Sequence, residues 1–289
     1  MNARLRWAGP MRRDDPSTWP EVVYEPLGKI TLRGSLAELW SYREVAWSFG
    51  MRKIRTRYKQ AAFGFLWAVV QPLAFLALFM GFLGSGRNGP GSYAAGTFAA
   101  LGAWQFVNSA IAGAGSSLVN EAGLLRKVFF PRECVVLGGV GSFLPDLLIN
   151  LVLLIGFGWV FDARYSWNLL FVVPILVMVV GITTAFSFPL SALAVYYRDF
   201  LYALPFIAQV WFFGSPIAYS IDRVDAKWRG FYAVVNPLVG PMVALRRIVA
   251  RGAGPDWGLL GLSTASFLVL LGIGYRWFKS LEREFAEVV

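Results

Sequence analysis

The sequence contains no histidine and only one cysteine, Cys134. A single cysteine cannot form a disulfide within the chain. The lack of histidine excludes histidine-based triads, histidine general bases and histidine metal ligands. We therefore expect no metal site, and any catalytic role would have to rest on other side chains.

Charged residues are also scarce: they make up 15% of the 289 residues, whereas hydrophobic residues make up 57%. Soluble domains contain about 25% charged residues, and a soluble globule of this length could not bury so much apolar surface. A protein that is surrounded by lipid does not have to bury it. We therefore predict an all-α integral membrane protein with about six transmembrane helices.

Six stretches are apolar and long enough to cross a membrane, which takes about 20 residues. The third qualifies only if it includes Asp146, the only acid in a predicted span. A charge within the membrane is a functional candidate by default, but Asp146 is merely interfacial if this span starts late. The stretches are 60–86, 88–120, 147–161 with its upstream extension towards Cys134, 165–197, 200–221 and 257–275.

The distribution of basic residues predicts the orientation. Six spans place both termini on one side, which then holds 19 of the 27 lysine and arginine residues. Basic residues collect on the cytoplasmic side of membrane proteins. We therefore expect both termini in the cytoplasm, the chain in the plasma (inner) membrane, and 84–92, 162–167 and 222–256 outside. The same rule explains the net charge of +10 without a nucleic acid partner.

Three regions follow one another along the chain. Residues 1–34 are polar and proline-rich, which is typical of an extended or partly disordered cytoplasmic extension. Residues 35–59 have the pattern of an amphipathic helix, which Ser35 and Glu38 would begin with a capping box. This helix would lie in the headgroup plane or pack on another protein domain. Residues 60–289 would form the transmembrane domain.

The segment 221–256 is apolar in its middle but is broken by Pro237 and Pro241. We interpret it as a re-entrant or interfacial pair of short helices on the outer face, bent at Asn236-Pro237. Irregular backbone at that depth is tolerated only where it is buried in protein or lines a wet cavity. One further span is the alternative.

The phosphate-binding pattern G-x-x-x-x-G-K-[ST] is missing. The only Gly-Lys pair is Gly28-Lys29, and Val23 stands where the first glycine belongs. There is also no metal-ligand spacing and no nucleophile elbow. A transport function driven by ATP would therefore need a separate ATPase.

Three parts of the sequence together resemble the ABC-2 type polysaccharide export permeases, the Wzm and TagG proteins. The resemblance covers roughly residues 36–289. The matching parts are Arg55 to Trp67 running on to Gln71-Pro72, which is similar to the start of the first span in that family; Leu124 to Glu133, similar to the cytoplasmic loop between spans two and three; and the later landmarks Tyr197-Arg198-Asp199-Phe200 and Asn236-Pro237, followed by Arg246.

This resemblance implies a homodimer of the chain bound to two copies of a separate ATPase, which would hold ATP and magnesium. The chain itself would bind no cofactor and would not be an enzyme. Its cargo would be a lipid-diphosphate-linked polysaccharide made on the cytoplasmic face. Arginine outnumbers lysine by 21 to 6, which indicates a GC-rich genome and favours an actinobacterial galactan exporter. O-antigen and teichoic acid are the alternative cargoes.

The loop 120–133 is the only substantial predicted cytoplasmic loop between spans, and we expect it to couple the chain to the ATPase. In it, two basic residues stand beside apolar ones. An apolar patch on a solvent-facing loop needs a partner. The expected coupling residues are Leu124, Leu125, Arg126, Lys127, Phe129, Phe130 and Pro131.

Two groups of side chains are candidates for contact with the cargo. Basic residues before the first span could bind the lipid diphosphate, because arginine presents a planar fork to phosphate oxygens; setting topology and attracting anionic lipid is the alternative. Aromatic rings could line a wet channel and pack on sugars, or simply contact lipid or other helices. The basic residues are Arg52, Lys53, Arg55, Arg57 and Lys59; the aromatic residues are Trp104, Phe106, Trp211, Phe212, Phe213 and Tyr219; and Asn236 with Pro237 is the expected outer gate.

Two other classes of function remain open. A membrane-embedded transferase acting on a lipid-linked sugar usually needs a carboxylate or histidine constellation. Here only Asp146 is available, with Asp162 and Asp199 at the ends of spans. A self-contained homo-oligomeric channel would need no ATPase. A stable complex with an ATPase would distinguish export from both alternatives.

Overall fold

A computed structural model describes residues 2–6, 21–25, 32–59, 66–83, 90–125, 127–128, 130–160, 166–217 and 219–282. The chain divides into two compact units, Met1–Tyr42 and Arg43–Val289. The predicted outer loops 84–92 and 162–167 lie mostly outside the described residues, as do Arg126 and Phe129 of the expected coupling segment.

The first unit contains two strands that were not predicted. Strand β1 (Asn2–Arg6) pairs with β2 (Glu21–Glu25) in an antiparallel ladder. Helix α1 (Leu32–Ser41) follows. The helix begins before Ser35, so the predicted capping box lies inside it, and Gly34 does not interrupt it.

The second unit is helical, apart from short connections, wherever the structure describes it. The predicted interface helix 35–59 is not continuous, because a turn at Tyr42 separates α1 from α2. The helices are α2 (Arg43–Lys59), α3 (Leu66–Leu83), α4 (Pro90–Gly115), α5 (Ser117–Asn120), α6 (Ala122–Leu125), α7 (Glu133–Gly141), α8 (Leu144–Val160), α9 (Val172–Tyr196), α10 (Phe200–Phe213), α11 (Ala226–Val235), α12 (Val239–Arg251) and α13 (Trp257–Leu281).

Three helical segments within the described ranges are long and apolar enough to cross a membrane: Glu133–Gly156, Trp167–Tyr196 and Trp257–Leu281. The bent pair, which we define as α11 and α12, raises this number to four if it counts as one span. Helices α3, α4 and α10 fall on the remaining predicted stretches. The predicted helical membrane domain is therefore confirmed, and the number of six spans stays a prediction.

Helix α4 lies at the centre of the second unit and contacts α3, α7, α8, α9, α10 and α12. Small residues along it allow neighbouring backbones to approach closely, as is common in membrane helix packing. Gly102 faces Asn150 of α8, and Gly113 faces the ring of Phe143. A Cβ atom at Gly113 would collide with the Phe143 ring, and one at Gly102 would lie 3.1 Å from Cβ of Asn150, so both glycines favour the close approach of α4 to the segment that contains α8.

Helix α2 packs on α7 through two glycines. A Cβ atom at Gly138 would lie 2.6 Å from Cβ of Phe49 and 3.0 Å from the backbone nitrogen of Gly50. Phe49 and Gly50 are buried in this contact, whereas Trp47 on the same helix is exposed. One face of α2 thus packs against the transmembrane helices, and the placement of the opposite face in the headgroup plane stays a prediction.

Candidate functional site

The coupling segment, defined as residues 120–133, contains helix α6 and the start of α7. Lys127 and Val128 are exposed, and Leu124 and Leu125 are half-buried. Backbone hydrogen bonds from Lys127 and Val128 to the carbonyl oxygen of Leu124 close a turn after α6. This turn presents Lys127 beside an apolar neighbour, which suits a surface that docks a protein partner.

Phe130 does not belong to the exposed part of this segment. Its side chain is buried, and its ring lies 5.4 Å from the ring of Phe49 in α2. Pro131 is buried as well. The expectation that Phe130 forms an exposed docking patch is therefore corrected: apolar rings pack against each other when a neighbouring helix offers one, and α2 does so here. Phe130 ties the coupling segment to α2.

Two basic residues of α2 also contact the polypeptide around the coupling segment. Arg52 forms an ion pair with Glu121, and its guanidinium lies 5.2 Å from the ring centre of Phe49. The Lys53 ammonium donates to the carbonyl oxygen of Gly113 at 3.4 Å. Burial lowers the pKa of Lys53, while the Glu121 carboxylate acts in the opposite direction. Both side chains thus anchor α2.

Arg57 and Tyr58 at the end of α2 both contact Asp146 in the first turn of α8. Arg57 forms an ion pair with one carboxylate oxygen, and the Tyr58 hydroxyl donates to the other. The Arg57 guanidinium also lies 4.4 Å from the ring centre of Phe143. Burial and the hydrogen bond to Asp146 raise the pKa of Tyr58 to about 12, so the phenol keeps its proton. Asp146 thus holds α2 against α8.

The five basic residues before the first span therefore separate into two sets. Arg52, Lys53 and Arg57 have protein partners. Arg55 and Lys59 are exposed. A diphosphate group could reach the exposed pair without breaking an ion pair, whereas binding at Arg57 would compete with Asp146. Of the arginines in the cluster, Arg55 is the one best placed to meet a ligand.

Four of the predicted channel-lining residues come together in one aromatic cluster between α4 and α10. Trp104 meets Trp211 edge-on, with ring centres 6.2 Å apart, and Phe212 at 5.5 Å. Phe213 lies 5.2 Å from Phe212 and is exposed. Phe186 of α9 joins at 4.4 Å from Trp211 and was not predicted. Within a single chain, Trp104 and Phe212 are buried, so Phe213 and the half-buried Trp211 offer the accessible surface.

The other two predicted lining residues lie elsewhere. Phe106 is only 1% exposed inside the helix bundle, which leaves it no surface for a cargo in this conformation. Tyr219 lies in the connection before α11, where its hydroxyl is 2.7 Å from that of Tyr232. Tyr219 therefore belongs with the bent pair rather than with the aromatic cluster.

Asn236 is the centre of the bent pair, where the chain direction bends by 118° between α11 and α12. Its side-chain oxygen accepts from the Trp211 indole at 2.9 Å and from the backbone of Leu238 at 3.1 Å. Its amide nitrogen donates to the carbonyl oxygen of Gly214 at 2.6 Å and to the Ser215 hydroxyl at 2.9 Å. The following Pro237 favours the extended backbone that Asn236 adopts. The predicted break at Asn236-Pro237 is confirmed.

The end of α10 is thus fastened to the bent pair by side chains. Besides Asn236, the Tyr232 hydroxyl donates to the carbonyl oxygen of Gly214 at 2.8 Å. Arg246 of α12 donates to the carbonyl oxygens of Ile217 and Tyr219, both at 2.8 Å. The Trp211–Asn236 hydrogen bond connects this network directly to the aromatic cluster. A displacement of the bent pair would therefore also shift the aromatic cluster.

Replacing Asn236 with alanine is expected to lower the stability of the chain by about 2 kcal/mol, because the buried Leu238 N–H and the Trp211 N–H lose their acceptor and the buried Ser215 hydroxyl loses its donor. Thermal unfolding of the detergent-purified chain, followed by tryptophan fluorescence, measures this loss. Asn168→Ala is the control at a less buried amide, which donates to the carbonyl oxygen of Gly252 at 2.8 Å and to the Ser166 hydroxyl at 3.4 Å. Equal unfolding temperatures in the two variants would contradict the central role of Asn236.

Sequence reasoning missed a second acid within a span. Glu133 begins the segment Glu133–Gly156 and is 1% exposed. It was assigned to the loop because the predicted third span starts later. The available signal was its position at the head of an apolar run that continues to Asp146. In the part of the chain that the structure describes, no three histidine, cysteine, aspartate or glutamate residues are grouped so as to hold a metal ion.

Comparison with known proteins identifies the family. The model of the ABC-2 type transporter family matches residues 44–249. The O-antigen export system permease protein RfbA of Myxococcus xanthus is 26% identical over 257 residues, which are 87% of this chain and 98% of that protein. Two proteins of the same name from Klebsiella pneumoniae are 25% and 23% identical over 82% of this chain and 92% of their own length. The chain therefore belongs to the ABC-2 type transporter family and is a multi-pass membrane permease.

Proposed function

We propose that this chain is the permease subunit of an ABC transporter that exports a lipid-diphosphate-linked polysaccharide across the plasma membrane. Two copies of the chain assemble with two copies of a separate ATPase, which binds ATP and magnesium. The termini and the coupling segment face the cytoplasm. The cargo is of the O-antigen, galactan or teichoic acid type.

The observation that carries this proposal is the similarity over nearly the whole length of an O-antigen export permease, 98% in the Myxococcus xanthus protein. A similarity of this extent includes the coupling segment, the bent pair and the connecting helices, rather than one module. This extent supports a transport function of the same kind for the chain as a unit.

The aromatic cluster gives physical support for a sugar cargo. A polysaccharide is polar, and it needs a wet path through protein rather than through lipid. Aromatic rings pack against the C–H faces of sugars with little directional preference, so a chain can slide over them. Trp211 and the exposed Phe213 present such rings beside the bent pair. A second copy of the chain would close the path around these rings.

The exposed part of the basic cluster supports a charged lipid head group. Arg55 and Lys59 are exposed and take no part in the ion pairs that fasten Arg52 and Arg57. Arg55 can therefore turn its guanidinium to a phosphate with two parallel hydrogen bonds, which lysine cannot do. Recruitment of the cargo at the cytoplasmic headgroup level follows from this placement in the predicted topology.

Arg55→Lys is expected to raise the concentration of lipid diphosphate that gives half-maximal stimulation of the ATPase about fivefold, the equivalent of one hydrogen bond of about 1 kcal/mol. The measurement uses the purified complex of this chain with its ATPase in nanodiscs, with a polyprenyl diphosphate sugar as the probe. The matching monophosphate sugar serves as the second probe. Basal activity and membrane level are expected to stay unchanged.

Arg276→Lys is the matched control, because Arg276 is an exposed arginine on α13 at the same predicted side of the membrane. It is expected to leave the response unchanged. If Arg55→Lys also leaves the response to the diphosphate unchanged, charge alone is sufficient at this position, and the cluster only sets topology and attracts anionic lipid. If no ATPase binds the wild-type chain, the export function itself is rejected.

A further inference from the structure

The last turn of α13 is connected to the coupling segment by a buried ionic cluster. The Lys279 ammonium lies 2.6 Å from the Glu133 carboxylate and 2.6 Å from that of Glu282. The Tyr275 hydroxyl donates to the same Glu133 oxygen at 2.9 Å. The other Glu133 oxygen has no hydrogen-bond partner among the described residues. Lys279 therefore supplies the compensating charge for a fully buried carboxylate.

Arg132 extends this cluster into the coupling segment itself. Its backbone nitrogen donates to the Glu282 carboxylate at 3.2 Å, and its guanidinium donates to the backbone carbonyl of Glu282. Arg132 and Glu133 directly follow Pro131 in the chain. A displacement of the coupling segment is therefore transmitted to the end of α13, because separating the buried pair would leave uncompensated charges, which is strongly unfavourable.

Nearer its other end, α13 contacts the backbone of the bent pair through two serine side chains. The Ser263 hydroxyl accepts from the backbone nitrogen of Gly240 in α12 at 2.9 Å and is 3.4 Å from the carbonyl oxygen of Ala233 in α11. The Ser266 hydroxyl donates to the carbonyl oxygen of Val234 at 2.5 Å. These two serines of α13 thus contact both helices of the bent pair, α11 before the break at Asn236 and α12 after it.

Gly240 is required for this contact. A Cβ atom at this position would lie 2.7 Å from the Ser263 hydroxyl oxygen and 2.8 Å from the carbonyl oxygen of Leu259. The backbone of α12 therefore rests directly on the short Ser263 side chain and the Leu259 carbonyl of α13, with no side chain of its own in between. So close a contact has little freedom to adjust, so a shift of α13 is passed to α12 rather than absorbed by the rotation of a long side chain.

Between its two ends α13 is a single helix without proline. It lies against α9, where Gly274 leaves room for the carbonyl oxygen of Ala185 and the ring of Pro189. Phe278 and Tyr275 pack their rings against Phe188 at 5.2 and 5.5 Å. The distance from Ser263 to Lys279 along the helix is about 24 Å, at 1.5 Å per residue.

We infer that α13 is the mechanical link between the coupling segment and the bent pair, and that Lys279 and Ser263 are the positioning residues at its two ends. Movement of Arg132 and Glu133 by the ATPase shifts α13 along α9. The shift reaches α11 and α12 through Ser263 and moves Asn236 relative to the aromatic cluster. This inference rests on the proposed function, because it assigns the path by which the ATPase would act on the outer end of the permease.

The main test removes the buried Glu133–Lys279 ion pair without leaving either of its charges alone. The double variant Glu133→Gln, Lys279→Met removes both charges together, which is often tolerated for buried pairs. Ser263→Ala removes the contacts of Ser263 with α11 and α12 at the other end of α13. Arg276→Gln is the control, since Arg276 is exposed on the same helix one turn from Lys279.

The readout is the labelling rate of a cysteine at the exposed position 235, introduced as Val235→Cys on a Cys134→Ala background. A membrane-impermeant maleimide is applied to the purified permease–ATPase complex in nanodiscs, without nucleotide and after trapping with ADP and vanadate. Export of the host's own polysaccharide per ATP hydrolysed is measured in proteoliposomes. A purely structural role would lower the amount of complex but would not change the nucleotide dependence of labelling.

We expect the wild type and Arg276→Gln to show a labelling rate that depends on nucleotide. In the double variant and in Ser263→Ala this dependence is expected to disappear and export per ATP to fall at least about fivefold, the lower end of typical coupling strengths. ATP hydrolysis is expected to continue in both. Combining the two changes is expected to give no further loss, because both interrupt one path.

Nucleotide-dependent labelling that survives in both variants would overturn the inference, as would full export by a wild-type complex whose labelling does not respond to nucleotide. In either case the permease function would stand. A wild-type chain that neither binds an ATPase nor exports would instead reject the proposed function, and the inference with it. If the double variant does not fold, Ser263→Ala alone decides between these outcomes.

Discussion

Val128→Asp is expected to reduce the amount of ATPase that co-purifies with the permease at least about tenfold, while the permease itself still inserts and folds. Val128 is 53% exposed in the coupling segment, next to the exposed Lys127. An apolar side chain in that position stabilises the complex when the ATPase covers it. An aspartate there would be buried without a partner, which weakens binding by at least as much as the loss of an interface hot spot, about 2 kcal/mol. Pull-down from membranes with a tagged permease measures the association.

Two further variants, at Val128 and at Phe130, serve as controls for this result. Val128→Leu keeps the apolar surface and is expected to keep the ATPase. Phe130→Asp is expected to lower the level of folded permease instead, because its buried ring packs against Phe49 in α2. If Val128→Asp retains the ATPase and Phe130→Asp loses it from an otherwise folded permease, the docking surface lies on the Phe130 side, contrary to our assignment.

Gly138→Ala is expected to destabilise the permease by about 3 kcal/mol, the upper end of the range for overpacked sites. The new methyl group would lie 2.6 Å from Cβ of Phe49 and 3.0 Å from the carbonyl oxygen of Ala46. The second of these atoms belongs to the backbone of α2, which cannot move aside by rotating a side chain. The whole helix has to shift, and the Arg57–Asp146 and Arg52–Glu121 ion pairs are strained with it.

Gly141→Ala is the matched control on the same helix, because a Cβ atom there has open space around it. It is expected to be neutral or slightly stabilising, since alanine favours the helix over glycine. Thermal unfolding in detergent and protease accessibility of α2 measure the difference between the two variants. Equal unfolding temperatures would show that α2 is not held by its contact with α7.

The parts of the fold that could be predicted from the sequence depend on local signals. Long apolar runs predict helices, and the Asn236-Pro237 dipeptide inside such a run predicts a break, since the residue before proline avoids the helical conformation. The strands β1 and β2 were not predicted, because the prolines around them favoured an extended or partly disordered interpretation of residues 1–34. The Val22-Val23-Tyr24 run was a usable β signal.

The parts of the site that could not be predicted depend on distant partners. The basic residues of α2 were recognisable as a cluster. The acids that pair with Arg52 and Arg57 lie far away in the sequence, so the ion pairs could not be predicted. Phe130 looks like a docking residue until Phe49 is known to lie against it. A hydrophobic residue in a loop has the same local pattern whether it faces a partner protein or its own chain.

The ionic cluster also affects the order in which the protein can be completed during synthesis. Tyr275 follows Glu133 by 142 residues in the chain, and at 5–20 residues per second the ribosome needs roughly ten seconds to make this stretch. Throughout that time the Glu133 carboxyl has no Lys279. The segment Glu133–Gly156 therefore cannot reach its final packing on insertion and has to wait for the last helix. A ribosome stalled before residue 279 would hold a nascent permease in which the segment Glu133–Gly156 is not yet packed against the last helix. Membrane proteases could then cleave it.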